Sequence, residues 1–138
     1  MPDARDVDAV ARQWARKAES DLTTAEHVLK LGQECPTDAV CFHAQQCVEK
    51  YLKAVLVCKQ IDFPKTHSIS EIMALVPGES RPELTREEQA TLTDYATVAR
   101  YPGVYDDASL AEAHEAVGTA RRVRDAVRAV LPPAALEG

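Results

Sequence analysis

Aromatic residues make up only 5% of this chain, and glycine occurs just five times. β-Sandwiches and barrels draw on aromatic and β-branched strands closed by glycine-rich turns, so both architectures are disfavoured. Long apolar runs are missing too. The longest stretch without a charged residue, Ala39–Val48, has ten residues, against the roughly 20 that a membrane-spanning helix needs. The N-terminal Met1-Pro2-Asp3-Ala4-Arg5-Asp6 carries no apolar segment of a secretory signal. Among Cys35, Cys41, Cys47 and Cys58 there is no C-x-x-C pair. Zinc and thioredoxin-type readings therefore lack their motif, and the four read as reduced packing thiols of a cytoplasmic protein. An excess of positive charge is absent as well. With 22 acidic and 16 basic side chains the net charge is −6, which excludes a bulk electrostatic grip on nucleic acid but leaves room for a local basic patch.

What remains is a sequence written for helices. Hydrophobic residues are 46% and charged residues 28% of 138 positions, ordinary usage for one globular domain. Gly32 and Pro36, Pro64, Pro77-Gly78 with Pro82, Pro102-Gly103 and Pro132-Pro133 punctuate the chain. Between them the apolar residues recur at spacings of three and four. From about Asp6 to Leu31 the stripe is Val7, Val10, Ala11, Trp14, Ala18, Leu22, Ala25 and Leu29, with Gly32 as its stop. From about Asp38 to Lys59 it is Val40, Ala44, Cys47, Val48, Tyr51, Leu52, Val55 and Cys58, with Thr37 or Asp38 as the cap. Ser68 with Glu71, Thr85 with Glu88 and Ser109 with Glu112 have capping-box spacing. They predict a short helix over 69–76, one from Thr85 to about Ala99, and one from Ser109 to about Val130. The expected fold is all-α: an up-and-down bundle of four helices with an additional short one, in a single domain with its core at about 6–131 and order ending at Pro132-Pro133.

The second helix carries the most informative feature. At 100° per residue, His43, Gln46, Lys50 and Lys53 fall within about 80° of one another, opposite the apolar stripe, with Glu49 on their border. A solvated face accounts for such an arc; so does a site for an anion. Lys65-Thr66-His67-Ser68 stands where the third helix begins, and Arg100-Tyr101-Pro102-Gly103 where the fourth ends. A helix start offers free N–H groups to anions, and an Arg followed by an aromatic and Pro-Gly makes a positioned loop. Asp21 is read either as a partner for a lysine across the helix interface or as a surface acid. His27 and His114 read as surface histidines. No metal or cofactor site is visible.

These residues resemble a known family. Trp14, Ala18, Asp21-Leu22 and Ala25, then Phe42-His43-Ala44-Gln45-Gln46, Glu49-Lys50 and Lys53-Ala54, then Thr66-His67-Ser68 and Tyr95 with Arg100-Tyr101-Pro102, are similar to the HEPN domain over about 11–130. The resemblance implies a helical bundle that is usually a homodimer. It also implies an association with a minimal nucleotidyltransferase, in some cases as a toxin–antitoxin pair, and in others nucleotide binding. The positions matching the family's polar signature are His43, Glu49, Lys50, Lys53, His67, Arg100 and Tyr101. The ribonuclease branch carries an Arg followed after four to six residues by a His. That spacing is not found here: from Arg100 the next His is His114.

Three functions follow as alternatives. In the first, a nucleotide or RNA phosphate is held by His43, Lys50, Lys53, His67, Arg100 and Tyr101 in a module that acts with a nucleotidyltransferase partner. In the second, the protein is a metal-independent endoribonuclease toxin using His43, His67 or Arg100, with His114 as a further acid–base candidate. In the third, it is a non-catalytic dimeric adaptor. The first is favoured, and it requires the cations of the second helix to meet those flanking the third and fourth.

Overall fold

The computed structural model describes residues 3–97 and 107–136. Its helices are α1 (Ala4–Leu29), α2 (Thr37–Cys58), α3 (Ile69–Leu75), α4 (Arg86–Thr97) and α5 (Leu110–Val130), with 3₁₀ turns at Gly32–Glu34, Gly78–Ser80 and Pro133–Ala135. The described residues contain no strand, so the expected all-α bundle with one short helix is what forms. The Tyr101 loop and the end of the fourth helix near Ala99 lie outside the described residues.

Local chemistry sets the helix ends. The Thr85–Glu88 and Ser109–Glu112 boxes both close, each with a side chain taking the other residue's N–H at 2.9–3.0 Å. At α3 only half the box is made: Ser68 Oγ accepts the Glu71 N–H at 3.3 Å, while the Ser68 N–H goes to the Thr66 hydroxyl at 3.1 Å. Gly32 takes φ +64°, the left-handed stop expected after α1. Two ends differ from the sequence reading. Asp3 caps α1, accepting the Arg5 N–H, so the helix begins at Ala4. Neither Thr37 nor Asp38 caps α2. Pro36 occupies the N-cap, and the Asp38 carboxylate accepts the Ala108 N–H at 3.0 Å, tying the start of α2 to the approach of α5.

The bundle is built around α2, which packs against α1, α3, α4 and α5. Thirteen of its 22 residues are buried, far more than one apolar stripe, and they include Gln45, Glu49 and Lys53. α1 meets α2 through small side chains: Ala11, Ala18 and Ala25 are fully buried, and Ala15 nearly so. Residues this small let two helix axes approach closely. Val10 leaves the expected stripe and is 44% exposed, because it is rotated by about 100° from its neighbour Ala11. α5 runs antiparallel to α1, with Arg121 on Glu26 and Arg124 on Glu19. Glu19 Oε1 also accepts the Tyr51 hydroxyl at 2.5 Å, so one carboxylate joins α1, α2 and α5. Arg122 reaches Glu88 at 2.6 Å and pins α4 to α5.

Order continues past Pro132-Pro133, where the sequence suggested an end. Ala135 is fully buried, and Arg12 Nε donates to the Ala134 carbonyl at 3.0 Å, drawing this turn onto α1. The four cysteines are free thiols. Burial pushes the Cys41 thiol up to about 12 and the Cys47 thiol up as well, so both are inert packing groups.

The alanine seam yields a test. Ala18→Leu inserts three carbons where no space exists, and overpacking of this kind costs about 1–3 kcal/mol. Urea denaturation should show that loss, whereas an unchanged midpoint would contradict the close α1–α2 approach.

A carboxylate-anchored polar face on α2

Two acids organise the polar arc of α2. Asp21, on α1, is 8% exposed and uses its two oxygens separately. Its Oδ1 accepts from His43 Nδ1 at 2.8 Å and its Oδ2 from Lys50 Nζ at 2.6 Å. Glu49, on α2 itself, is 3% exposed. Its Oε1 accepts from His67 Nδ1 at 2.9 Å and from Gln45 Nε2 at 3.1 Å, and its Oε2 from Lys53 Nζ at 3.0 Å. Gln45 Nε2 also reaches the His67 carbonyl at 3.3 Å, and Gln46 Nε2 donates to Gln45 Oε1 at 2.6 Å. Both glutamines belong to the Glu49 set, Gln45 directly and Gln46 through Gln45.

The sequence reasons for this geometry are simple. Gln45, Glu49 and Lys53 are spaced four apart and so stack on one helix flank, with the acid N-terminal to the lysine. Buried charge is tolerated only when paired and hydrogen-bonded. Lys53 meets that condition fully. Its side chain is 9% exposed, and Nζ lies 5.3 Å from the Trp14 ring centroid and 5.6 Å from that of Phe63. Those rings meet edge-to-face at 6.3 Å and add cation–π attraction to the Glu49 pair. Among the described residues no buried side-chain nitrogen or oxygen lacks a hydrogen-bond partner.

Each histidine is held in one orientation. A carboxylate only accepts, so Nδ1 of His43 and of His67 must carry the proton that points at it. Nε2 is then left as the ring's other face. The His67 side chain is 61% exposed and that of His43 31% exposed. An imidazole with one nitrogen fixed by an acid and the other facing water can bind an oxyanion or carry a proton.

The sequence-derived candidates thus separate. His43 and Lys50 come together on Asp21; Lys53 and His67 come together on Glu49. The lysines are partly or wholly withdrawn from solvent as members of ion pairs, which differs from a solvated cationic stripe. Arg100 and Tyr101 lie outside the described residues. Asp21 takes the lysine-pairing role that was one of its two readings. Gln45, fully buried, was not anticipated, although its four-residue step to Glu49 was visible. His27 and His114 are exposed, as expected. Among the described residues no group of histidine, cysteine and acidic side chains could hold a metal ion. No helix there is long and apolar enough to cross a membrane.

The HEPN domain model matches residues 11–130, and the chain belongs to the HEPN family. It is similar to "Putative toxin MJ1304" of Methanocaldococcus jannaschii, 33% identical over 103 residues that take in 69% of this chain and 65% of that relative, a little under two thirds of its length. Among solved structures it resembles TT1696 from Thermus thermophilus, with TM-score 0.72 and 27% identity over 88% of this chain and 98% of that one. It also resembles ST0689, an archaeal HEPN homologue, with TM-score 0.66 and 27% identity over 86% and 95%.

The buried pair makes a stability prediction. Lys53→Met keeps the apolar stem but leaves Glu49 uncompensated, and should cost about 3–5 kcal/mol. The double variant Glu49→Gln/Lys53→Met removes both charges and should recover much of that loss in chemical denaturation. A single variant as stable as the parent would contradict the buried pairing.

Proposed function

We propose that this HEPN protein is a phosphate-recognising helical module that takes a nucleotide or an RNA phosphate on its α2 face. On this reading it works beside a minimal nucleotidyltransferase as the toxin-side member of a toxin–antitoxin pair, and as a homodimer. The observation that carries the proposal is the pair of acid-anchored histidines, His43 of α2 on Asp21 and His67, just before α3, on Glu49, each held through Nδ1. Such a ring offers an oxyanion a directed donor at low entropic cost, since its rotamer is already held. Lys50, on the same arc, is partly exposed but paired with Asp21, so it belongs to the site's border and adds no unpaired charge. Lys53 acts by holding Glu49, and Arg100 and Tyr101, outside the described residues, stay candidates by sequence. The toxin role draws support from the name of the M. jannaschii relative. The partner and the dimer rest on the family's habits.

A second reading has its own observation in favour. A histidine oriented by a buried carboxylate is the arrangement of a general base, and the family includes ribonucleases. His43 or His67 would then act as base or acid, with Arg100 on the scissile phosphate. The missing Arg-x(4–6)-His spacing weighs against this reading, so it stands second.

Calorimetric titration with ATP, GTP and a short 5′-phosphorylated RNA separates the two. Binding without cleavage is expected, weakened about tenfold or more by His67→Ala or Arg100→Ala, the usual worth of a charge-assisted hydrogen bond. Wild-type affinity in both variants would overturn the site. Cleavage of the RNA that is lost in the histidine variants would put the ribonuclease reading first.

A further inference from the structure

The charge balance of this face has an unusual consequence. Asp21 and Glu49 carry two negative charges, and Lys50 and Lys53 carry two positive ones, each lysine in contact with one acid at 2.6 and 3.0 Å. Both acids are more than nine-tenths buried, and each is paired with its own lysine. The lysines therefore bring no surplus charge to an anion. What is left to vary is His43 and His67. With both imidazoles neutral the set is formally uncharged; with both protonated it carries +2.

We infer that the α2 face is a proton-gated oxyanion site, in which His43 and His67, and not the lysines, supply the charge that holds the ligand. The inference rests on the phosphate-binding reading above and adds its regulation. Histidine is the side chain whose charge changes between about pH 5 and 8. Protonation costs neither ring its anchor, because Nδ1 already donates to the acid and the new proton goes to the other ring nitrogen, Nε2. The charged groups that face His43 are Asp21 of α1 and Lys50 of α2. Those around His67 are Glu49 and Lys53 of α2 and, next but one along the chain, Lys65. Each acid is paired with one lysine. The sign follows from the charge: a protonated ring attracts an anion and a neutral one does not, so affinity falls as pH rises.

The device also makes a counterintuitive statement about Asp21. If it were only a structural acid, its neutralisation would leave anion binding unchanged or weaken it. Here it cancels Lys50, so Asp21→Asn releases a permanent positive charge and should strengthen binding at high pH.

Sulfate is the probe, since it stays doubly charged across the whole range. Its affinity for the full-length protein is measured by calorimetry at pH 5.5, 7.0 and 8.5 at constant ionic strength, with circular dichroism confirming that each variant is folded. The expected result is a fall of about tenfold or more from pH 5.5 to 8.5, the worth of one charged hydrogen bond or more. His43→Gln/His67→Gln should flatten the profile at the weak limit, and Asp21→Asn should bind more tightly than the parent at pH 8.5. Repeating the titration with ATP and with 5′-phosphorylated RNA shows which source of phosphate uses the site. Binding that does not change with pH, or a pH dependence that survives the double histidine variant, would overturn the gate while leaving phosphate recognition standing. No binding of sulfate, ATP or RNA at any pH would overturn both.

Discussion

Two carboxylates bear most of the weight in this molecule. Asp21 and Glu49 lie almost out of reach of water, and the lysines, imidazoles and Gln45 of the face they underlie are placed by contact with one or the other. A buried carboxylate is costly unless fully satisfied, and the surroundings meet that demand with two lysines, two imidazoles and an amide. Removing either acid would release the orientation of a histidine and the neutrality of a lysine together. The chemistry of the face is thus inseparable from the packing of α1 on α2, since Asp21 arrives from one helix and its partners from the other. The alanine seam that lets these helices approach is what brings Asp21 within 2.8 Å of His43.

Family membership and local geometry bear on different questions. The HEPN assignment covers nearly the whole chain and accounts for the bundle. It does not by itself say what each polar residue does, because one fold hosts many functions. The acid anchors narrow the choice. They turn a row of cations into a row of ion pairs that takes in two histidines. A protein of net charge −6 gains from that arrangement: its field does not attract polyanions indiscriminately, and recognition depends on a small number of directed donors.

Much of the fold was legible because helix signals are local. Capping boxes at Thr85 and Ser109, glycine at 32 and the three-and-four spacing of apolar residues each act within one or two turns, and each survives in the structure. The misreadings have tertiary causes. Asp38 looked like a cap but is used to hold Ala108, 70 residues away. Val10 looked like core but lies on the outer flank of α1. Pro132-Pro133 looked like an end, yet Ala135 is buried beyond it, where Arg12 holds the turn. At the candidate site the polar arc of α2 was visible from spacing alone. Its neutralisation was not, because Asp21 lies 22 residues from His43 and 29 from Lys50, and nothing in a helical wheel says which acid a neighbouring helix will deliver. Glu49 could have been read more closely: a glutamine four residues before it and a lysine four after it is the pattern of a buried ladder as much as of a wet surface.

The central claim, that acids fix the orientation of His43 and His67, is open to direct observation. Long-range ¹H–¹⁵N correlation spectra of the four imidazoles at slightly alkaline pH report which ring nitrogen carries the proton. His43 and His67 should show the Nδ1-protonated tautomer, while the exposed His27 and His114 show the ordinary Nε2-protonated form as controls within the same molecule. Four rings with the same Nε2-protonated tautomer would contradict the anchoring, and with it the account of this face.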